Sequence, residues 1–150
     1  MTTIAWDGNT LAADKMGDAG GMRITVTKIR RAKDGSLLGG AGTAAFCLEM
    51  FDWIEAGADP SKLPKNQETD DWSCVIRIMP DGKILRYDKC AVPLVLEDGR
   101  TAIGSGRDYA MAAMHLGCDA ITAVRVAATF DPGTGSTIDA LTLEPTHADA

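Results

Sequence analysis

Histidine is almost missing from this chain. His115 and His147 are the only two in 150 residues, a poor basis for a histidine-dependent triad or a His-rich metal site. Cysteine is sparse and scattered: Cys47, Cys74, Cys90 and Cys118 form no CxxC pair. That argues against zinc and against a dithiol redox motif, and reads as reduced thiols in a cytoplasmic protein. No apolar run approaches the roughly 20 residues of a membrane span, and the first residues lack the basic-then-apolar pattern of a secretory signal. Positive charge is in deficit, with 15 Lys and Arg against 21 Asp and Glu, a net charge of −6 and a pI near 4.8. Nucleic acid, whose phosphates require a basic face, is therefore not an expected partner. Neither a membrane nor a cofactor is called for.

What is present suits a folded domain, with 45% hydrophobic and 24% charged residues. The length fits one domain over 1–150 that buries roughly two thirds of its unfolded surface, with a mobile tail from Glu144. Asp7-Gly8 signals a tight hairpin joining Thr2–Trp6 to Asn9–Asp14, with Trp6 opposite Asn9 and Thr2 opposite Ala13. One face of that hairpin carries Thr2, Ile4, Trp6, Leu11 and Ala13, and the other carries Thr3, Ala5, Thr10 and Ala12. Neither face reads as solvated, so the hairpin belongs between layers. The register brings Asp14 within about one strand spacing of the Thr2 backbone, roughly 5 Å. Its side chain would need a bend or bulge to reach Thr2.

Gly17, Gly20 and Gly21 mark a loop. Arg23–Arg31 reads as one strand that pairs with Ser36–Ala41 across Lys33-Asp34-Gly35, with Lys28 on the same side as Val26 and Arg30. By itself a strand lysine belongs on a solvated face. After Gly39-Gly40-Ala41-Gly42, residues 43–56 predict an amphipathic helix with Phe46, Cys47, Met50, Phe51, Trp53 and Ile54 on its apolar side. The GxGxxA pattern at Gly40 does not follow a βαβ unit, which speaks against dinucleotide binding. Residues 58–71 read as a surface loop. Trp72–Met79 and Lys83–Asp88 form a further hairpin, and Val92–Leu96 and Arg100–Ile103 flank a turn. Ser105-x-x-Asp108 fits a capping box that opens a helix over 107–116. Asp119 caps a last helix over 120–130, and a strand over 138–143 follows. Strands, a helix, strands, two helices and a strand predict an α+β fold, a four-layer α-β-β-α sandwich of antiparallel sheets.

The chain opens Met1-Thr2-Thr3-Ile4. If Met1 is removed, Thr2 carries both a hydroxyl nucleophile and a free α-amino group. That amine titrates at about 7.7 to 8.0, suited to act as general base for the hydroxyl beside it. Taken alone, Thr-Thr-Ile reads as the start of an edge strand.

Several segments in this order are similar to one known family. They are Met1-Thr2-Thr3-Ile4, Leu11-Ala12-Ala13-Asp14, Thr27-Lys28-Ile29-Arg30-Arg31, Gly39-Gly40-Ala41-Gly42-Thr43, Ala102-Ile103-Gly104-Ser105-Gly106 and Asp131-Pro132-Gly133-Thr134-Gly135. Together they resemble the proteasome β-type, HslV-like family of N-terminal-nucleophile hydrolases over nearly the whole chain. The resemblance implies a threonine-type endopeptidase with Thr2 as nucleophile, Lys28 as an ammonium beside it and Asp14 orienting Lys28. It implies an oxyanion donor at the Gly39 N–H and a network of Ser105, Asp131 and Thr134 around the α-amino group. Thr134 stands where proteasomal relatives place a serine. Val26, Arg30 and Thr43 correspond to the specificity pocket. Peptide or unfolded-protein substrates, a homo-oligomeric ring and an ATP-dependent unfoldase partner are also implied. The loop over 58–71 replaces a long family helix through which rings meet, so ring stacking and the unfoldase have the least support in this sequence. An inactive structural or assembly subunit, or a small-molecule amidohydrolase, are the other classes open.

Overall fold

The computed structural model describes residues 1–65 and 72–144. The fold is mixed α and β, with antiparallel sheets and, among the described residues, three α-helices. The chain begins with β1 (Ile4–Trp6) and β2 (Thr10–Asp14), which pair through Ile4↔Ala13, Ala5↔Ala12 and Trp6↔Leu11. That register lies two residues away from a tight Asp7-Gly8 turn. The Asp7 carboxylate accepts the Asn9 and Thr10 N–H groups at 2.8 Å each, so the connection closes over four residues. A shift of two preserves the faces, because side chains alternate with period two. It moves Asp14 opposite Thr3, whose carbonyl accepts the Asp14 N–H at 3.1 Å.

The alternation within this hairpin decides the layering. Ile4, Trp6, Leu11 and Ala13 face a core shared with Ile29, Leu37, Ile76, Ile78 and Ile84 of a second sheet. Ala5 and Ala12 face the helices α2 (Arg107–His115) and α3 (Ala120–Phe130). Those helices meet the sheet through Ala110, Ala113, Ala120 and Ala123, small side chains that allow close approach. The first sheet has the order β10-β1-β2-β11, with β10 at Thr101–Ile103 and β11 at Ile138–Thr142. The second has the order β5-β6-β7-β8-β9, at Ile29–Arg31, Leu37–Ala41, Cys74–Ile78, Ile84–Tyr87 and Leu94–Leu96. Its other face is covered by α1 (Ala44–Glu55), which buries the six side chains of the expected apolar stripe against Leu38, Val75 and Tyr87.

The stretch expected as one strand over 23–31 is divided. Its first part is β4 (Met22–Thr25), which pairs with β3 (Met16–Ala19) in a separate ribbon turned at Gly20-Gly21. Its second part is β5, paired with β6 as expected. Val26-Thr27-Lys28 between them belongs to neither strand. The break places Lys28 at the end of the second sheet, facing the start of the first. The loop expected over 58–71 begins with a short 3-10 turn, Pro60–Lys62, capped by Asp59. Residues 66–71 of that loop and 145–150 of the expected tail lie outside the described residues.

Candidate active site

Thr2 and Thr3 lie at the open end of β1, against the junction between β10 and α2. Two glycines there make the approach possible. A Cβ on Gly104 would stand 2.1 Å from the Thr2 carbonyl oxygen, and one on Gly106 would stand 2.0 Å from Thr3 Oγ1. Gly104 also has φ +97°, a conformation other residues rarely adopt. The Gly106 N–H donates to the Thr2 carbonyl at 3.2 Å and fixes the strand end in place.

Lys28 reaches this strand end from the second sheet. Its Nζ donates to Thr2 Oγ1 at 3.0 Å and to both Asp14 oxygens at 2.9 and 3.0 Å. Asp14 is fully buried, and only 8% of the Lys28 side chain is exposed. The Asp14 carboxylate also accepts the backbone N–H groups of Thr3 (2.9 Å), Met16 (3.1 Å) and Gly135 (2.9 Å). No bulge is needed. Asp14 acts on Thr2 through Lys28, and its four donors pin the carboxylate. Burial pushes the Lys28 pKa below the ordinary lysine value, against Asp14, whose charge and hydrogen bond favour the ammonium.

On the opposite side of Thr2, its backbone nitrogen donates to Ser105 Oγ at 3.1 Å. Ser105 Oγ in turn donates to Asp131 Oδ2 at 2.6 Å. The helix-capping role expected of Ser105 is not observed: α2 starts from Gly106 with no side-chain cap. The hydroxyl is committed to the strand end and to a carboxylate 26 residues further along. Thr134 Oγ1 donates to the same Asp131 oxygen at 2.6 Å, and the Gly133 N–H donates to Asp131 Oδ1 at 3.1 Å. Burial alone would raise the Asp131 carboxyl, but these three hydrogen bonds outweigh it and hold the pKa below the usual carboxylate value. Thr3, which the sequence did not mark as functional, joins this network. Its Oγ1 lies 2.6 Å from Thr134 Oγ1. Its position next to Thr2 was the only signal available.

With Met1 in place, Thr2 Oγ1 donates to the Met1 carbonyl at 2.6 Å, and Lys28 Nζ approaches the same oxygen at 3.3 Å. Two cavities meet at this point and share Met1, Thr2, Gly42 and Thr43 in their walls. One, of about 450 Å³, lies on the Lys28 side and is lined by Val26, Gly40, Cys47, Leu48 and Phe51 among others. The other, of about 630 Å³, lies on the Ser105 side and is lined by Trp72, Cys74, Arg86, Gly104 and Arg107 among others. Among the described residues, no group of three or more His, Cys, Asp or Glu could hold a metal ion.

No protein-family model matches the chain. No curated protein sequence matches it either. Solved structures do. Trypanosoma brucei HslV superposes with a TM-score of 0.69 at 23% identity, over 96% of this chain and 99% of that one. The fold is that of HslV. Thiobacillus denitrificans BPH gives a TM-score of 0.67 at 21% identity, over 97% and 99% of the two chains. The same protein in complex with epoxomicin gives 0.69 at 21%, over 96% and 99%.

Within this HslV-like fold, Thr2, Asp14, Lys28, Ser105, Asp131 and Thr134 come together from five separate stretches of chain. Val26 and Thr43 line cavities beside Thr2. Two expected residues do not arrive. Arg30 is held away by α1, through Asp52 (2.8 Å), Glu55 (3.1 Å) and the Phe51 ring, 5.2 Å from the guanidinium carbon. It fastens α1 to β5 and lines neither cavity. Gly39 sits inside β6, opposite Ile29 and Ile76, and a Cβ there would meet Ile4 at 3.1 Å in the inter-sheet core. The Gly40 N–H donates to Lys28 O on the β5 side at 3.2 Å. Adjacent residues of a ladder address opposite neighbours, so the Gly39 N–H is directed to β7 rather than to Thr2.

Proposed function

We propose that this protein is a threonine-type endopeptidase that cleaves peptide bonds through an acyl-enzyme on Thr2 after loss of Met1. The observation that carries the reading is the Lys28 ammonium, 3.0 Å from Thr2 Oγ1 and fixed by buried Asp14. A cation held there favours the alkoxide form of a hydroxyl whose own α-amine is the base. The amine takes the Oγ proton, and Oγ attacks the peptide carbonyl. The tetrahedral intermediate collapses as the leaving amine collects that proton. Water then hydrolyses the Thr2 ester with the same amine as base. Ser105, Asp131 and Thr134 orient the amine. Gly42, which lines both cavities, takes the oxyanion role in place of Gly39. The proposal places these residues in one four-layer α-β-β-α domain that works as a cytoplasmic homo-oligomeric ring on peptide or unfolded-protein substrates. An unfoldase partner is not part of it.

The decisive experiment is mass spectrometry of the purified protein, under native conditions and after treatment with an epoxyketone such as epoxomicin. The expected masses correspond to a chain lacking Met1, assembled into an oligomer, with one adduct localised to Thr2. Retained Met1, or an unmodified Thr2, overturns the reading.

The site also predicts a bell-shaped pH profile. Activity rises as the Thr2 amine loses its proton and becomes available as the base. It falls again as Lys28 loses its charge. Because burial lowers the Lys28 pKa, the alkaline limb falls below the ordinary lysine value of about 10.4. A kcat/KM profile measured from about pH 5 to 11 checks this. Lys28→Arg, whose charge persists, is expected to move the alkaline limb upward at a cost in rate. An unchanged alkaline limb in that variant contradicts the assignment.

A further inference from the structure

The cavity on the Ser105 side of Thr2 carries two guanidiniums, Arg86 from β8 and Arg107 from the first turn of α2, and no carboxylate among its described lining residues. In a chain of net charge −6 this is an unusual placement. Arg86 is anchored through Nε to Asp88 at 3.0 and 3.1 Å. Arg107 is anchored through Nη1 to the Gly104 carbonyl at 3.1 Å, with Asp108 3.9 Å from its Nε. A guanidinium has five N–H donors in a planar fork, so an anchor on one nitrogen orients the group and leaves donors for a ligand. The two cations act on one spot. Burial raises the thiol pKa of Cys74 in the cavity wall; Arg86 and Arg107 act against that rise, while Asp88, paired with Arg86, adds to it. The other cavity differs in kind, with Val26, Cys47, Leu48 and Phe51 around Lys28 and Asp18.

Proton bookkeeping says which part of a substrate meets the arginines, given the peptidase reading above, on which this inference rests. In acyl transfer the nitrogen that leaves must collect the proton taken from Thr2 Oγ1. That proton sits on the Thr2 nitrogen, which lies 3.1 Å from Ser105 Oγ. The departing amine therefore approaches from the Ser105 side, and the chain attached to it occupies the cavity of about 630 Å³ with Arg86 and Arg107. The acyl half occupies the more apolar cavity beside Lys28. We propose that Arg86 and Arg107 form a carboxylate-recognition subsite for the leaving-group side of the substrate. The ligand is an acidic side chain just after the scissile bond or the terminal carboxylate of a short leaving peptide. Arg–carboxylate hydrogen bonds are charge-assisted and can be bidentate, and in a cavity they are less screened than on an open surface.

The test uses the mature protein and sets of peptides identical up to the scissile bond. One set varies the following residue among Glu, Gln and Lys within a long peptide. A second set ends one or two residues after the bond as a free acid or an amide. The wild-type protein is expected to prefer Glu over Gln, or free acid over amide, by about tenfold in kcat/KM. The set that shows the preference identifies the source of the carboxylate. In the Arg86→Gln/Arg107→Gln variant the ratio is expected to fall to about one. A flat wild-type ratio in both sets, or a ratio unchanged in the variant, overturns the subsite. Calorimetric binding of Glu-Glu and of amidated Gln-Gln to the Thr2→Ala protein provides a readout independent of turnover. Tighter binding of Glu-Glu, lost with the two arginines, is expected. Equal binding of the two dipeptides counts against the subsite even if hydrolysis is never seen. Absence of hydrolysis together with absence of an epoxyketone adduct overturns the peptidase reading instead.

Discussion

Thr2→Ala is expected to lower peptide hydrolysis by on the order of a thousandfold or more while leaving the fold intact. The substitution removes the hydroxyl that Lys28 Nζ contacts at 3.0 Å and keeps the backbone nitrogen that donates to Ser105. The stability change is that of one partly satisfied hydroxyl and a methyl group, about 1 kcal/mol, or a few degrees in Tm for a domain of this size. Thr2→Ser retains a hydroxyl in reach of the same ammonium and is expected to keep part of the activity. Rate assays and thermal melts on the three proteins distinguish a lost nucleophile from a lost fold. Hydrolysis that survives in Thr2→Ala at more than about a tenth of the wild-type rate would remove Thr2 from the mechanism.

Asp14→Ala is expected to have the largest effect on stability, about 3 to 5 kcal/mol, and to abolish activity with it. Asp14 is fully buried and satisfies three backbone N–H groups and the Lys28 ammonium. Its removal strands a cation whose side chain is 8% exposed. Against a typical total of about 5 to 15 kcal/mol, such a loss brings the variant near its unfolding threshold. A second substitution isolates the cause. In Asp14→Ala/Lys28→Met the buried charge is gone, so part of the stability is expected to return while the activity does not. Urea unfolding of the single and double variants measures the difference. An Asp14→Ala protein within about 1 kcal/mol of wild type would mean that the ion pair is not the buried support of the site.

The pattern of the chain anticipated those elements whose causes are local. The α1 stripe from Phe46 to Ile54 is buried as its spacing requires, and Asp119 accepts the Thr122 N–H at 2.8 Å as a cap should. The turn at Pro80-Asp81-Gly82 joins β7 to β8, because turn chemistry is written in adjacent residues. Local reasoning failed where two signals competed. The sequence allowed Ser105 to cap a helix, yet Asp131, 26 residues away in the chain, takes its hydroxyl. Alternation over 23–31 suggested one strand, because period two carries no information about which sheet a strand joins. Val26-Thr27-Lys28 crosses between two sheets, and that crossing is what brings Lys28 to Thr2. Arg30 and Gly39 were assigned by position in a motif, whereas α1 and the β6–β7 ladder govern where their groups point.

By itself, then, the sequence determined the residue types of the chemistry, the helix stripes and the two covered faces of the opening hairpin. These depend on side chains within a few residues of one another. Only the tertiary structure decided that Lys28, Asp14, Ser105 and Asp131 converge on Thr2, that Thr3 supports them, and that two arginines share one cavity. Those contacts span 11 to 131 residues of chain. Contacts across such separations depend on strand register and on which helix covers which sheet, and no local pattern encodes either.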